Sequence, residues 1–177
     1  MKRNLIVSIL TLFIGAVFAS PLRADDILAR FKGAIGVHPV SNVAGTANAD
    51  GTFPDVTRNV VRSVAPAGQL WVIDDLDVHV KTNGDINIRG KGLVLGGGNN
   101  AGRATGQNVF ATLICEAAAP FTERNTNPAG VPLSADGDFK IDDMVTPLPE
   151  GECASPMLLI RNASGGTWFA VGIPRLR

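Results

Sequence analysis

The chain has 177 residues with 16 basic and 16 acidic side chains, so it carries no net formal charge. Its length fits one domain with a core of its own. The basic residues form no cluster, and phosphate contacts need concentrated Lys and Arg. The composition therefore argues against nucleic acid as a partner.

Residues 1–24 have the layout of a secretory signal. Basic residues precede an almost entirely apolar run at 5–17, and small residues follow. These are the three parts of such a signal. We expect cleavage after Ala19 or Ala24, which leaves 25–177 as a single domain in a secreted or periplasmic protein. An uncleaved membrane anchor is the alternative. The run is shorter than the roughly 20 residues that span a bilayer, so we expect no membrane span after signal removal.

The predicted signal also affects how the two cysteines are interpreted. Both Cys115 and Cys153 follow it. In an exported protein an even pair most simply forms a disulfide, whereas two buried thiols or a metal site are the alternatives. A bridge of this kind stabilises a fold by roughly 4 kcal/mol in the chain-entropy model. Removal of residues 1–24 leaves 13 basic and 16 acidic side chains, a net charge of −3.

Strand signals begin directly after the signal. Residues 25–32 fit either a short helix or a strand that continues to Val37. We favour the strand, because apolar side chains alternate from Phe31 to Val37. Residues 42–54 are rich in Gly, Ala, Asn and Asp and predict a loop. The β-branched stretch at 58–64 predicts a strand.

The strongest local signal predicts a β-hairpin over residues 76–95. Apolar residues recur along 71–80 with one change of phase at 74–75, which predicts a bulge or two shorter strands. The Asn-Gly pair at 83–84 favours a type I′ turn, because both residues tolerate positive φ. Glycines in the polar stretch 89–92 predict a second bulge in the returning strand.

Four more strands are predicted in the second half, at residues 108–116, 139–145, 157–160 and 167–173. The first of them is apolar on both faces, as in a central strand. The whole chain then has seven or eight short strands and no long helix. This pattern predicts an all-β fold, an antiparallel β-sandwich, with a small β-barrel as the alternative.

Calcium is the only cofactor for which the sequence offers candidate ligands. Asp136, Asp138, Asp142 and Asp143 place four carboxylates within eight residues, and calcium takes oxygen ligands. A second acidic group lies at 74–77. Neither group matches the twelve-residue calcium loop, and Asp is common in turns for local reasons. Solvated turns are therefore the preferred interpretation.

Other chemistries find less support. A copper site of the electron-transfer type needs His near its Cys, and no His follows Cys115 or Cys153. The glycine run at 96–102 precedes a β-branched strand rather than the helix that a phosphate cradle needs. The Asn-Ala-Ser sequence at 162–164 is a formal glycosylation acceptor.

No motif places the chain in a family of known function. We predict a non-catalytic secreted or periplasmic protein with a binding or structural role, whose partner is another protein or a carbohydrate. Two alternatives stay open, namely a small extracellular hydrolase using Asp or Glu carboxylates and a subunit of a surface assembly. Two convergent carboxylates in a pocket would favour the hydrolase. An exposed apolar patch or an unpaired edge strand would favour the assembly.

Overall fold

A computed structural model describes residues 26–175 of the chain, so the predicted signal and its cleavage sites lie outside the described residues. The described part contains thirteen β-strands and no helix. Their bounds are β1 Ile27–Gly36, β2 Val40–Ala44, β3 Asp55–Arg58, β4 Trp71–Val72, β5 Asp75–Lys81, β6 Asp85–Lys91, β7 Val94–Leu95, β8 Asn108–Ile114, β9 Arg124–Asn125, β10 Val131–Pro132, β11 Phe139–Met144, β12 Met157–Asn162 and β13 Trp168–Pro174.

Seven of these strands have six or more residues, which agrees with the predicted seven or eight. The strand preferred at the start of the described residues is confirmed as β1. Because residues 26–175 form strands and no helix, the all-β class is confirmed. Within this range no helix has the length and apolar character needed to cross a membrane.

The seven long strands belong to one antiparallel sheet that nearly closes on itself. Its order is β10-β8-β12-β13-β1-β5-β6-β11, and β9 also pairs with β8. Asn125 of β9 and Thr146, just after β11, donate their backbone N–H groups to each other's carbonyls at 2.8 and 2.9 Å. This exchange links the two ends of the sheet, so the fold lies between the predicted sandwich and the small barrel.

Alternation of apolar and polar residues decides which face of the sheet is buried. In β5, Leu76, Val78 and Val80 are fully buried, while the residues between them reach the surface. Burying each such side chain contributes roughly 1.5–3 kcal/mol. Residues 109–114 of β8 are all buried, on both faces, which confirms the predicted central strand.

The β5–β6 hairpin is confirmed, but its predicted turn type is wrong. Gly84 has a φ of 91°, whereas Asn83 is not among the non-glycine residues with positive φ. A type I′ turn would need positive φ at both. Instead, Asn83 Oδ1 accepts the backbone N–H of Asp85 at 3.0 Å, and Gly84 N–H donates to the Lys81 carbonyl at 3.0 Å.

The two predicted bulges mark places where the chain leaves the main sheet. Trp71 and Val72 of β4 pair with Leu95 and Val94 of β7 in a separate two-stranded sheet. The Trp71 ring stacks on Phe169, with centroids 4.0 Å apart. The change of phase at 74–75 therefore separates two strands, the second of the two predicted possibilities. The expected bulge at 89–92 is instead the end of β6.

Residues 40–64 differ most from the sequence prediction. Part of the expected loop at 42–54 is strand, because β2 pairs with β3 as an antiparallel ribbon. The expected strand at 58–64 is wrong, because only Arg58 of this stretch is strand, as the last residue of β3. Beyond it, residues 61 and 64 exchange two backbone hydrogen bonds across a tight turn, in which Arg62 and Ser63 have φ of 44° and 71°. The strands in this region are defined by pairing between residues 40–44 and 55–58, which the sequence did not indicate.

Candidate functional site

The outer face of β5, β6 and β11 contains a shallow polar pocket. Successive residues of a strand point to opposite sides, so most polar residues of these strands share the outer face, whereas Asp143 lies opposite the buried Ile86. Asp142 lies opposite Asn87 in the β6–β11 pairing. The pocket has a volume of about 440 Å³ and is lined by His79, Lys81, Asp85, Ile86, Asn87, Asp142, Asp143 and Met144.

Two of the candidate calcium ligands, Asp142 and Asp143, line this pocket, but each is engaged separately. Asp142 pairs with the Lys140 ammonium and accepts a hydrogen bond from the Asn87 side chain. The hydrogen bond from Lys140, aided by the one from Asn87, lowers the pKa of Asp142 despite some desolvation. Asp143 instead accepts the backbone N–H of Asn127 at 2.7 Å.

The other two candidates, Asp136 and Asp138, lie in the turn before β11. Asp138 accepts the backbone N–H of Gly92 at 3.1 Å, and Asp136 is exposed. Among residues 26–175, no three His, Cys, Asp or Glu side chains come together in a way that could hold a metal ion. Three of the four carboxylates that the sequence offered as calcium candidates thus take separate local partners in the structure, and Asp136 is exposed.

The second acidic group belongs to a salt-bridge cluster at the surface. Lys32 Nζ lies 3.1 Å from Asp75 Oδ2 and 3.3 Å from Asp77 Oδ2. Hydrogen bonds to the two carboxylates raise the pKa of Lys32, and the hydrogen bond from Lys32 lowers the pKa of Asp75. Nearly half of each side chain is exposed, so this is a solvated face rather than a reactive site.

A largely buried charge pair lies just beyond β8. Glu116 Oε1 is 2.9 Å from Arg124 Nη1, and only 9% of the Arg124 side chain is exposed. Desolvation raises the pKa of Glu116, but hydrogen bonds from Arg124 and the backbone N–H of Thr122 outweigh it and lower that pKa to about 2. Because a general acid needs a pKa near the working pH, Glu116 is suited to structure rather than to acid catalysis.

Cys115 and Cys153 form the predicted disulfide, with their Cα atoms 4.5 Å apart. The bridge joins the end of β8 to the segment before β12, and Arg62 reinforces the same junction. Its guanidinium donates to the carbonyls of Ile114 at 3.0 Å and Ser155 at 2.7 Å, and to Ser155 Oγ at 2.6 Å. Arg62 lies far from both partners in sequence, so no local pattern could have identified it.

The formal glycosylation acceptor is part of a turn. Asn162 is only 7% exposed, and its side-chain amide donates to Gln107 Oε1. Its Oδ1 accepts Ser164 Oγ at 2.6 Å and the backbone N–H of Gly165 at 2.7 Å. The acceptor amide is therefore used inside the fold.

A larger cleft opens beside the disulfide. It has a volume of about 1040 Å³ and lies between the N-terminal half of β1 and residues 151–156. Its wall includes apolar side chains, and charged groups of both signs lie around it. The lining residues are Asp26, Ile27, Leu28, Ala29, Arg30, Thr82, Gly151, Glu152, Cys153, Ala154, Pro156 and Arg175. No sequence pattern indicates this cleft, because its two sides are more than a hundred residues apart in the chain.

The β2–β3 ribbon has one apolar and one polar face, both exposed. Val43 lies opposite Val56, and Val40 lies opposite Arg58, which shares its face with Val56. The three valines are 37%, 43% and 52% exposed in chain order. The other face carries the polar residues Asn42, Asp55 and Thr57, together with Ala44.

The base of the ribbon is held to the rest of the fold. Arg58 Nη2 donates to the Pro66 carbonyl at 2.8 Å, and the Asn59 side chain donates to the His38 carbonyl at 3.0 Å. Asn59 also donates its backbone N–H to the Pro39 carbonyl at 3.1 Å. The ribbon is therefore a fixed projection with an exposed apolar face.

Comparison with known proteins gives no relative. No protein-family model, no curated protein and no solved structure matches the chain. Three features of the described residues bear on function, namely the polar pocket, the cleft and the ribbon.

Proposed function

We propose that the mature chain is an exported, non-catalytic module that binds another protein through the apolar face of the β2–β3 ribbon. The supporting observation is the exposure of Val40, Val43 and Val56 on one face of a two-faced ribbon. An antiparallel sheet normally packs its apolar face on a core. An exposed apolar face bordered by polar residues is typical of a protein interaction site.

Export is supported by the sequence layout and by the disulfide. Disulfides persist mainly in oxidising compartments, and the Cys115–Cys153 bridge fits such a location. Mature protein recovered from the medium or periplasm should begin at Ser20 or Asp25. Its mass should rise by about 2 Da on reduction. N-terminal sequencing and intact-mass analysis test both points, and protein that keeps residues 1–19 in the cell pellet would contradict export.

The carboxylates support a non-catalytic role. A glycosidase-type hydrolase needs one carboxyl group with a raised pKa to act as the acid. The shifts in Asp75, Glu116 and Asp142 all lie in the opposite direction, and each of these groups pairs with a Lys or Arg. These three carboxylates are therefore better explained as parts of a charged surface than as members of a hydrolytic site.

A protein partner is favoured over a carbohydrate. Sugar-binding faces often present several exposed aromatic rings, and both tryptophans of this chain are buried, Trp71 at 4% and Trp168 at 2% exposure. Phe53, near β3, is 39% exposed and lies in the same part of the chain as the exposed valines. A surface of exposed valines and one phenylalanine suits an apolar contact with a protein better than the stacking of sugar rings.

Site-specific photo-crosslinking tests the proposed function. A photoreactive amino acid replaces Val56 or Thr57, neighbours in β3 that point to opposite faces of the ribbon. We expect protein adducts from position 56 in the native host compartment, and few from the matched control at 57. Mass spectrometry identifies the adduct as a second copy or another protein. Equal yields at the two positions would contradict docking through the apolar face.

A further inference from the structure

The two cysteines of the disulfide differ in their access to solvent. Cys115 lies at the end of β8 and is 7% exposed, whereas Cys153 is partly exposed and lies in the wall of the larger cleft. The residues on either side of Cys153, Glu152 and Ala154, are both exposed. Exposed disulfides are typically the labile or regulatory ones. A thiol therefore reaches the sulfur of Cys153 more readily than that of Cys115.

A largely exposed strap, residues 147–154, runs between two fixed points of the fold. At one end, Thr146 and Asn125 exchange two backbone hydrogen bonds at 2.8 and 2.9 Å. At the other end, the backbone N–H of Ser155 donates to the Cys115 carbonyl at 3.0 Å. Neither attachment uses the disulfide, so both ends of the strap should stay in place when the disulfide is broken.

Between these two points, the disulfide is the main attachment of the strap. Within residues 26–175, no hydrogen bond or ion pair joins residues 147–154 to another segment. Leu148 lies close to Gly84, but its side chain is 52% exposed. A segment with few buried contacts and no hydrogen bonds opens at a low free energy. A single covalent bond at Cys153 therefore decides the position of the strap.

We propose that Cys153 is a site of thiol–disulfide exchange and that reduction of the bridge releases the strap from the wall of the cleft. The reductant is a thiol, whose thiolate attacks Sγ of Cys153 and forms a mixed disulfide with it. The bond between the two protein sulfurs breaks, and Cys115 leaves as a thiolate that takes up a proton. A second thiol then attacks the reductant's sulfur, which releases the oxidised reductant and leaves Cys153 as a thiol. Two electrons thus pass from two thiols to the bridge.

The change should be local, because strand pairing does not need the bridge. β8 and β12 pair from Met157 opposite Ile114 to Asn162 opposite Val109. Residues 151–154 of the strap form part of one side of the cleft, so their release widens it. This inference does not use the ribbon, and its test is separate from that of the proposed function.

Limited proteolysis with a glutamyl endopeptidase tests the release of the strap in the purified mature chain. The chain has four glutamates, two in the strap at 150 and 152 and two outside it at 116 and 123. The outer two are controls within the same molecule, because each forms an ion pair with an arginine. On reduction we expect cleavage in the strap to accelerate about 10-fold, with little change at the controls. Circular dichroism should keep its β-sheet signal.

The reductant is supplied in two separate arms, reduced glutathione and a reduced thioredoxin-type protein. Both present the same thiolate chemistry, and the faster arm shows whether a small thiol or a protein thiol is the better source. In either arm, protein that is quenched with acid during the reaction should carry the mixed disulfide on Cys153. Peptide mapping by mass spectrometry locates it.

Single-cysteine variants test the site of attack independently. Cys115→Ser leaves the thiol of Cys153, and Cys153→Ser leaves the thiol of Cys115. With an aromatic disulfide reagent and folded protein, we expect the Cys153 thiol to react about 100-fold faster, because the Cys115 thiol is buried. In urea the two thiols should react at similar rates, which is the control for their intrinsic chemistry.

Other results would overturn the inference. Equal acceleration of cleavage at all four glutamates would identify global unfolding rather than release of the strap. Unchanged cleavage in the strap after complete reduction would show that other contacts hold it. A mixed disulfide found on Cys115, or equal reactivity of the two single thiols in folded protein, would rule out Cys153 as the site of attack. A bridge that neither reductant breaks in the folded chain would rule out exchange.

Discussion

At the scale of single residues, one carboxylate should account for much of the pH dependence of stability. Glu116 has its pKa lowered from 4.5 to about 2 in the folded chain, because Arg124 and a backbone N–H hold its ionised form. A group with a depressed pKa contributes stability above its unfolded pKa. That contribution is lost as the pH falls from about 4.5 toward 2.

We therefore predict that Glu116→Gln lowers the free energy of unfolding at pH 7 by about 2–3 kcal/mol. The variant should also lose less stability than wild type between pH 4.5 and pH 2.5. Urea denaturation at pH 7, 4.5 and 2.5 measures both effects. Glu150→Gln, at an exposed position, is the control and should match wild type. Parallel pH profiles of wild type and Glu116→Gln would refute the assignment.

Arg62 is the second residue with a predicted large effect. It makes three hydrogen bonds across the junction between β8 and the segment before β12. Hydrogen bonds to charged groups contribute about 1.5–3 kcal/mol each when measured singly, with non-additive totals. We expect Arg62→Ala to reduce the free energy of unfolding by about 2–4 kcal/mol, measured by chemical denaturation. Arg103→Ala, at an exposed position, should change it little; equal losses would contradict the role of Arg62.

Neither Arg62 nor the Glu116–Arg124 pair could be predicted from the sequence. Arg62 reaches Ser155 across 93 positions, and a hydrogen bond over that separation leaves no periodic signal. The acidic residues at 136–143 were conspicuous because they are close in sequence. In the structure their side chains take separate local partners. These acidic residues are close along the chain, but they do not converge on one site in the structure.

At the scale of elements, the β5–β6 hairpin was predictable because its signals are local. Alternating apolar residues and an Asn-Gly pair are sufficient to locate two strands and a turn. The turn type was not predictable, since it depends on Asn83 accepting the backbone N–H of Asp85. In the β2–β3 ribbon, residues 42–44 were predicted as loop and residues 55–57 were not predicted as a strand, because these short segments are rich in small and polar residues. Only their pairing defines them.

The hairpin turn gives a prediction of its own. Gly84 has a φ of 91°, and an added Cβ would lie 2.5 Å from Leu148 Cδ2. Gly84→Ala should therefore reduce the free energy of unfolding by about 1–2 kcal/mol, because an L side chain is strained at this φ. Gly97→Ala is the matched control, since nothing lies within 4 Å of its added Cβ. Thermal denaturation compares the two, and equal melting temperatures would contradict the strain at Gly84.

At the scale of the whole molecule, strand pairing and the disulfide hold the same two strands together. β8 and β12 pair along six residues, starting with Met157 opposite Ile114, and the bridge lies next to that pair. The sequence predicted the bridge and the all-β class from compartment and periodicity. It could not separate sandwich from barrel, because the near closure depends on a two-residue strand, β9, and on Thr146 beyond β11.

Because the strand pairing is independent of the bridge, the chain should stay folded without it. We predict that the double variant Cys115→Ser/Cys153→Ser keeps its β-sheet circular dichroism and loses about 2–4 kcal/mol of unfolding free energy. Hydrogen exchange should increase most at residues 151–156, beside the cleft, and little in the β5–β6 hairpin. Reductant should destabilise wild type to a similar extent and leave the variant unchanged. Complete unfolding of the variant at 25 °C would show that the nearly closed sheet depends on the bridge.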